Sequence, residues 1–208
     1  ITPVQATTIA QKIDFPVPIV ALGFRLPGSN QPDYAPTQVL FSALNNGRGE
    51  FADLTLAGKV LGAFGVASAY PEVGFGMVVG IARPGDNEKN AITSLRGVID
   101  DYAKNGIPPE FIEAARTRLL ASKAYAAASI PGQAFDWSLA LSEGLPSPDA
   151  IYDEFASVTV ADVNRVLKQY VAGGAQVTMD LAATTGASMP HADRSAGKED
   201  VQVTATRS

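Results

Sequence analysis

The sequence predicts an α+β domain, and three observations carry that reading. A hairpin pattern runs from Val60 to Ala82: Phe64 and Val66 alternate with Ala63, Gly65 and Ala67, then Phe75, Met77, Val79 and Ile81 alternate with Gly74, Gly76, Gly80 and Ala82. Alternate residues of a strand point to opposite faces, so this ribbon has one bulky apolar face and one nearly bare face. Two long helical patterns follow it directly. Further strand-like stretches stand near either end, at Phe15 to Leu26 and Gln176 to Leu181.

In chain order, residues 1–14 are polar and without a clear period, and read as an approach segment to a domain spanning 15–181. Phe15 to Leu26 follows as a strand, with Pro16 and Pro18 marking it as an edge strand or the entry to one. Pro27 to Pro32 is a loop, and Asp33 stands as the N-cap of a helix whose buried face holds Val39, Leu40, Ala43 and Leu44. Asn45-Asn46-Gly47, tolerant of positive φ, ends it. Glu50 to Ala57 is a short helical turn anchored by Phe51, Leu54 and Leu56.

Between the hairpin strands, Tyr70-Pro71-Glu72-Val73 supplies proline where a turn wants a preset φ. After the hairpin, Asp86 or Asn87 caps an amphipathic helix carrying Ala91, Leu95, Val98, Ile99 and Tyr102, which ends at Asn105-Gly106. Pro108-Pro109-Glu110 opens the next helix, with Phe111, Ile112, Ala115, Leu119 and Leu120 as its buried set and a continuation into 124–128. Past Ile130-Pro131-Gly132 a further helix places Phe135, Trp137 and Leu139 in the core. A short helix spans Pro148 to Phe155. Thr159 and Asp162 form a capping-box pattern ahead of Val163, Val166, Leu167 and Tyr170. Residues 182–208 lose the apolar period and read as a linker or tail.

Composition excludes several functions. With 208 residues, 46% of them hydrophobic, the chain can bury a full core. A net charge of −5 with scattered Lys and Arg argues against a nucleic-acid surface. No apolar stretch reaches membrane-span length. The absence of cysteine removes disulfides, thiol nucleophiles and thiolate metal sites, and fits either cytosol or periplasm. The start at Ile1, with neither Met nor a leader pattern, fits a removed signal peptide or an excised fragment, and the fragment is the expected case.

The chemistry-bearing residues are few. The single histidine, His191, lies in the tail, and one histidine makes no metal site. No His-x-x-Glu-His, His-Glu-x-x-His or Gly-x-Ser-x-Gly pattern exists. Adjacent Asp100-Asp101 and Asp153-Glu154 point about 100° apart on a helix and read as solvated faces. The glycines of the hairpin sit inside strand alternation, so close backbone approach or a bulge explains them better than a phosphate loop. Arg48, in Asn46-Gly47-Arg48-Gly49, could meet a carboxylate or phosphate, although an exposed loop arginine is the plainer reading.

The order of elements from Phe15 to Leu181 resembles the non-catalytic domain of the M16 (pitrilysin/insulinase-like) metallopeptidase family. Four stretches carry the resemblance: the entry Pro18 to Pro27; Leu44 to Phe51, similar to the family's Gly-Arg-Ser-Ser-x-Leu segment; the hairpin ending Gly80 to Gly85; and Gly106 to Arg116, similar to its Gly-x-x-x-x-Glu-Leu-x-x-Ala-Lys helix start. The resemblance implies a mixed, mostly antiparallel sheet with helices packed on one face, the M16-like or LuxS-like metallohydrolase architecture. It implies no catalysis and no cofactor in this chain, with zinc in a companion M16-type domain of the same polypeptide or of a partner subunit. A peptide substrate would lie in the chamber the two domains share.

Some family members place an Arg and a Tyr near the hairpin to assist the zinc site; here that stretch offers Thr55 and Ala63-Phe64 instead. Arg48, Ala63 and Phe64 are therefore the expected substrate contacts. The expected setting is bacterial and periplasmic rather than cytoplasmic. Phe75, Met77, Val79 and Ile81 are expected to pack beneath the helices of 88–105 and 109–128, leaving the Gly/Ala face toward the chamber. An inactive scaffold subunit of the same fold, and an unrelated α+β enzyme using Asp100, Asp101 or Glu113, are the alternatives.

Overall fold

The computed structural model describes residues 5–142, 144–173 and 176–184. Five strands, β1 (Thr7–Ile13), β2 (Ile19–Leu26), β3 (Gly62–Ala69), β4 (Gly74–Ile81) and β5 (Gln176–Ala183), form one sheet in the order β1-β5-β2-β4-β3. Only β1 and β5 run parallel; every other neighbouring pair is antiparallel. The helices are α1 (Tyr34–Leu44), α2 (Glu50–Leu56), α3 (Glu88–Asn105), α4 (Pro109–Ala127), α5 (Ile130–Ser142), α6 (Pro148–Ser157) and α7 (Val160–Val166), the last running on into a π-helical turn, Leu167–Ala172.

The helices cover one face of the sheet. α1 and α3 lie directly on the strands, and α4 packs on α1 as an outer layer rather than on the sheet. The core between these layers holds Val20, Leu22, Phe24, Leu40, Leu44, Val78, Leu95, Ile99 and Ile112, all essentially dry. Removing such side chains from water supplies about 1.5–3 kcal/mol each, the main favourable term in a domain of this size. The buried set expected for α3 is the one observed, with Asn87 as its cap accepting from Lys89 N.

Several elements differ from expectation. Residues 7–13 form β1, an edge strand lent order by pairing with β5 rather than by its own polar sequence. β2 is central, because Pro16 and Pro18 precede its first paired residue, Ile19, and cost the ladder nothing. Asp33 precedes α1 but makes no side-chain cap. Instead the Arg165 fork grips it in a bidentate pair (3.0 and 2.7 Å), with the Tyr170 hydroxyl at 2.8 Å. That arginine holds the Asp33 carboxyl below its ordinary range, while burial and then Asp33 push Tyr170 up to about 12. Asn45 ends α1 with negative φ.

Leu56 is 85% exposed and anchors nothing. Trp137, Phe135 and Leu139 are exposed as well, because α5 sits in the outer layer and turns only Ala140 fully inward. The Thr159–Asp162 capping box is present with both reciprocal bonds. His191 lies outside the described residues, as does the tail beyond Thr184.

Candidate functional site: an open apolar sheet face

The hairpin faces are the reverse of expectation. On β4 the glycine face is buried: Gly74, Gly76, Val78 and Gly80 lie under the helices, while Phe75 is exposed and Met77, Val79 and Ile81 are half-covered. The glycines accept bulk from elsewhere in the chain. A Cβ on Gly76 would lie 2.4 Å from Phe41 Cζ, one on Gly65 3.0 Å from Phe41 Cδ1, and one on Gly80 3.0 Å from Leu95 Cδ1. The trough is a seat for α1 and α3 rather than for a foreign peptide.

The register then assembles the opposite face. Phe64 stands across from Val79, Val66 from Met77, Arg25 from Phe75, Ala21 from both Val79 and Met179, and Ile9 from Met179. Residues paired directly across a sheet share a face, so these side chains make one largely apolar surface that crosses all five strands, with Arg25 at one end of it. No element of the described chain lies over it. Phe64 is 41% exposed and Phe75 43%, although each leans on large neighbours. A contiguous apolar face of this kind marks an interaction surface.

The free edge of β3 is partly closed. Asn45 donates from Nδ2 to Gly65 O (2.8 Å) and accepts at Oδ1 from Gly65 N (2.7 Å), so its amide acts as a one-residue strand partner. This blocks strand addition at the middle of the edge and directs contacts to the face.

The expected contacts do not share one surface. Ala63 turns toward the helices and packs against the core, whereas Phe64 next to it faces out. Arg48 is exposed in the turn before α2, its backbone N–H donating to Asn46 Oδ1 at 2.9 Å. The alternation of the hairpin marks Val66 and Phe75 as bulky and assigns Phe75 to the core beneath the helices; both stand instead on the open face. Val78, apolar and in phase with Gly76 and Gly80, was the residue that signalled which side is covered.

The candidate carboxylates are dispersed. Glu113 pairs with Arg116 along α4, and Asp100 is exposed. Among the described residues no group of three or more His, Cys, Asp or Glu could hold a metal ion. No helix among them is long and apolar enough to cross a membrane.

Among the described residues Glu50 is the most strongly perturbed carboxyl, pushed up to about 7 by burial, then by Asp101 and Asp53 beside it. Its backbone N–H donates to the Tyr102 hydroxyl (3.0 Å), which supplies the acceptor that N-cap Gly49 lacks. Because the folded-state value lies above the ordinary 4.5, this group's contribution is full below pH 4.5 and is lost as the pH rises through about 7. Thermal melts from about pH 5 to about pH 8 should show the wild type losing stability, and Glu50→Gln should flatten that fall.

No protein-family model and no curated protein matches the chain in sequence. Solved structures do match in fold. The inactive peptidase domain of a Bordetella parapertussis protein superposes with a TM-score of 0.73 at 19% identity, over 81% of this chain and 93% of that one. The peptidase M16 inactive domain from Pseudomonas fluorescens gives 0.70 at 16% identity, over 89% of this chain but 45% of its own length. The periplasmic protease PqqL from Escherichia coli gives 0.65 at 17% identity, with 86% of this chain on 21% of that one. The chain thus has the fold of an M16 inactive peptidase domain, and spans under half of the longer proteins that contain it.

Proposed function

We propose that this chain is a non-catalytic, substrate-enclosing domain of an M16-type zinc peptidase. The open apolar face across β1, β5, β2, β4 and β3 carries this reading: it is a wall without reactive groups, suited to an unfolded peptide held against it. Zinc and the catalytic residues belong to a companion domain in the same polypeptide or a partner subunit. The periplasm, where PqqL is found, is the compartment we assign. Phe64 is the substrate contact kept from the expected set, and Arg48, exposed in the turn before α2, is a second; Ala63 faces the helices behind Phe64.

The test is site-specific photocrosslinking in the parent protein. A benzophenone side chain at position 64 or 75 should capture an unstructured peptide, while one at Thr93, exposed on α3, should not. Phe64→Asp with Phe75→Asp should lower hydrolysis roughly tenfold by removing apolar contact area, and the purified chain alone should carry neither stoichiometric zinc nor peptidase activity. Capture at position 93 alone, or hydrolysis by the isolated chain, would sink the proposal. If the parent and neighbouring reading frames lack a His-x-x-Glu-His, an inactive scaffold of the same fold replaces it.

A further inference from the structure

The outer helix α5 is apolar where nothing in the described chain covers it. Of its 13 residues only Ala140 is fully buried, whereas Ile130, Trp137 and Leu141 are 83%, 49% and 66% exposed and Ala134 is open as well. A helix this rich in apolar residues ordinarily belongs inside a core, yet α5 rests only its inner side on α4 and α6. Ile130, Ala134, Trp137 and Leu141 stand at i, i+4, i+7 and i+11, the spacing that aligns side chains along one seam, here about 17 Å long. Phe135 and Leu139 are exposed too, but the helical rotation of about 100° per residue turns them off the seam.

Charge and size narrow what can cover the seam. The chain carries −5 overall, so a second copy meets repulsion over much of its surface. The seam avoids it: Asp136 is the only charged residue of α5, and it faces α6, where the Tyr152 hydroxyl donates to its Oδ2 at 3.0 Å. α5 also lacks the Lys and Arg with which a helix holds an anionic membrane surface. The seam is complementary to itself. Against an antiparallel copy, Ile130 meets Leu141 of the second copy and Ala134 meets its Trp137, so the largest side chain falls opposite the smallest. Antiparallel helices also set their dipoles against each other favourably. Side chains exposed to this extent offer roughly 400 Å² of apolar surface per copy, so a pair buries about 800 Å² against about 1,600 Å² in a standard interface. That area holds a weak, reversible dimer.

We propose that α5 is a docking seam for a second copy of this chain, the two helices packing antiparallel through Ile130, Ala134, Trp137 and Leu141 in a symmetric dimer. The inference rests on α5 alone and not on the role of the open face.

Sedimentation of the purified chain from about 1 µM to about 1 mM should show a monomer–dimer equilibrium with a dissociation constant on the order of 100 µM. Added salt should leave it in place or tighten it, because salt screens only the repulsion between like-charged copies. Trp137 is the only tryptophan, so its emission should shift to the blue as the dimer fills. Ile130→Asp with Leu141→Asp should weaken association at least about tenfold, while Phe135→Asp with Leu139→Asp, the same change off the seam, should leave it within about threefold. Both variants should keep the wild-type melt, since these side chains are exposed. The chain has no cysteine, so disulfides can read the register independently. Mixing Ala134→Cys with Trp137→Cys should give the mixed disulfide in excess of either homodimer, and Thr93→Cys, exposed on α3, should give almost none. A monomer at about 1 mM, an equal loss from the off-seam pair, or a mixed disulfide no faster than the Thr93→Cys background overturns the proposal. So does a blue shift that appears only with phosphatidylcholine vesicles, which assigns α5 to a membrane instead.

Discussion

Gly76→Ala is expected to destabilise the domain by about 1–3 kcal/mol, although alanine is the better strand residue. The reason is space. The added methyl would sit 2.4 Å from Phe41 Cζ and 2.8 Å from Leu26 Cδ1, and the ring is itself only 3% exposed with α4 packed behind α1. Truncating the ring, Phe41→Ala, should cost about 3–5 kcal/mol by opening a cavity over Gly65 and Gly76. The two changes share one space, so Phe41→Leu should recover part of the Gly76→Ala loss, a coupling visible in a double-mutant cycle. Gly62→Ala is the control: on the open face its new methyl meets only Ile81 Cδ1 at 3.9 Å, and stability should hold or rise slightly. Denaturant unfolding of these variants reads all of this, and a loss at Gly62 matching that at Gly76 would refute the assignment of the faces.

Gly28→Ala should be at least as damaging, by about 3 kcal/mol, through a different contact. The loop after β2 lies against the hairpin tip, with Ser29 N donating to Tyr70 O at 2.9 Å and Asn30 N to Pro71 O at 3.4 Å. A Cβ on Gly28 would fall 2.3 Å from Pro71 O and 2.6 Å from Glu72 C. Both are backbone atoms, so no rotamer change relieves the collision; loop or turn must move and release those bonds. Hydrogen exchange should show the Ser29 amide losing protection in the variant. Gly47→Ala, where an added methyl meets nothing within 4 Å, should leave stability within about 0.5 kcal/mol.

These contacts bear on the proposed function because they back the open face from the helix side. Phe41 and Leu95 press on the sheet from the helix side at Gly65, Gly76 and Gly80, and the Gly28 clasp fixes the far end of the same hairpin. Phe64 and Phe75 keep their places on the outer surface only while that backing is intact. A destabilised backing should therefore lower peptide capture at position 75 before the domain unfolds globally.

Much of this was legible in the residues. The periodicity of 91–102 placed α3 and its buried side, and Thr159 with Asp162 placed the start of α7. The alternation of 62–81 gave the hairpin, its turn and the existence of two unlike faces. Trp137 and Phe135 misled because large apolar residues at helical spacing ordinarily signal core, and nothing local says that α5 lies in the outer layer. β1 was invisible for a related reason: a polar edge strand carries no pattern of its own and is ordered by the partner strand, 170 positions away in the register Thr7 to Val177.

Sequence alone determined that this chain has an α+β domain built on a hairpin with one bulky and one bare face, because strand alternation is a local property of the backbone. Which face is buried was decided only by the tertiary structure. Burial depends on what packs against the strands, and Phe41 and Leu95 fill the glycine trough from helices that lie outside the hairpin. The bulky face is therefore the one left open, and with it the surface on which the proposed function rests.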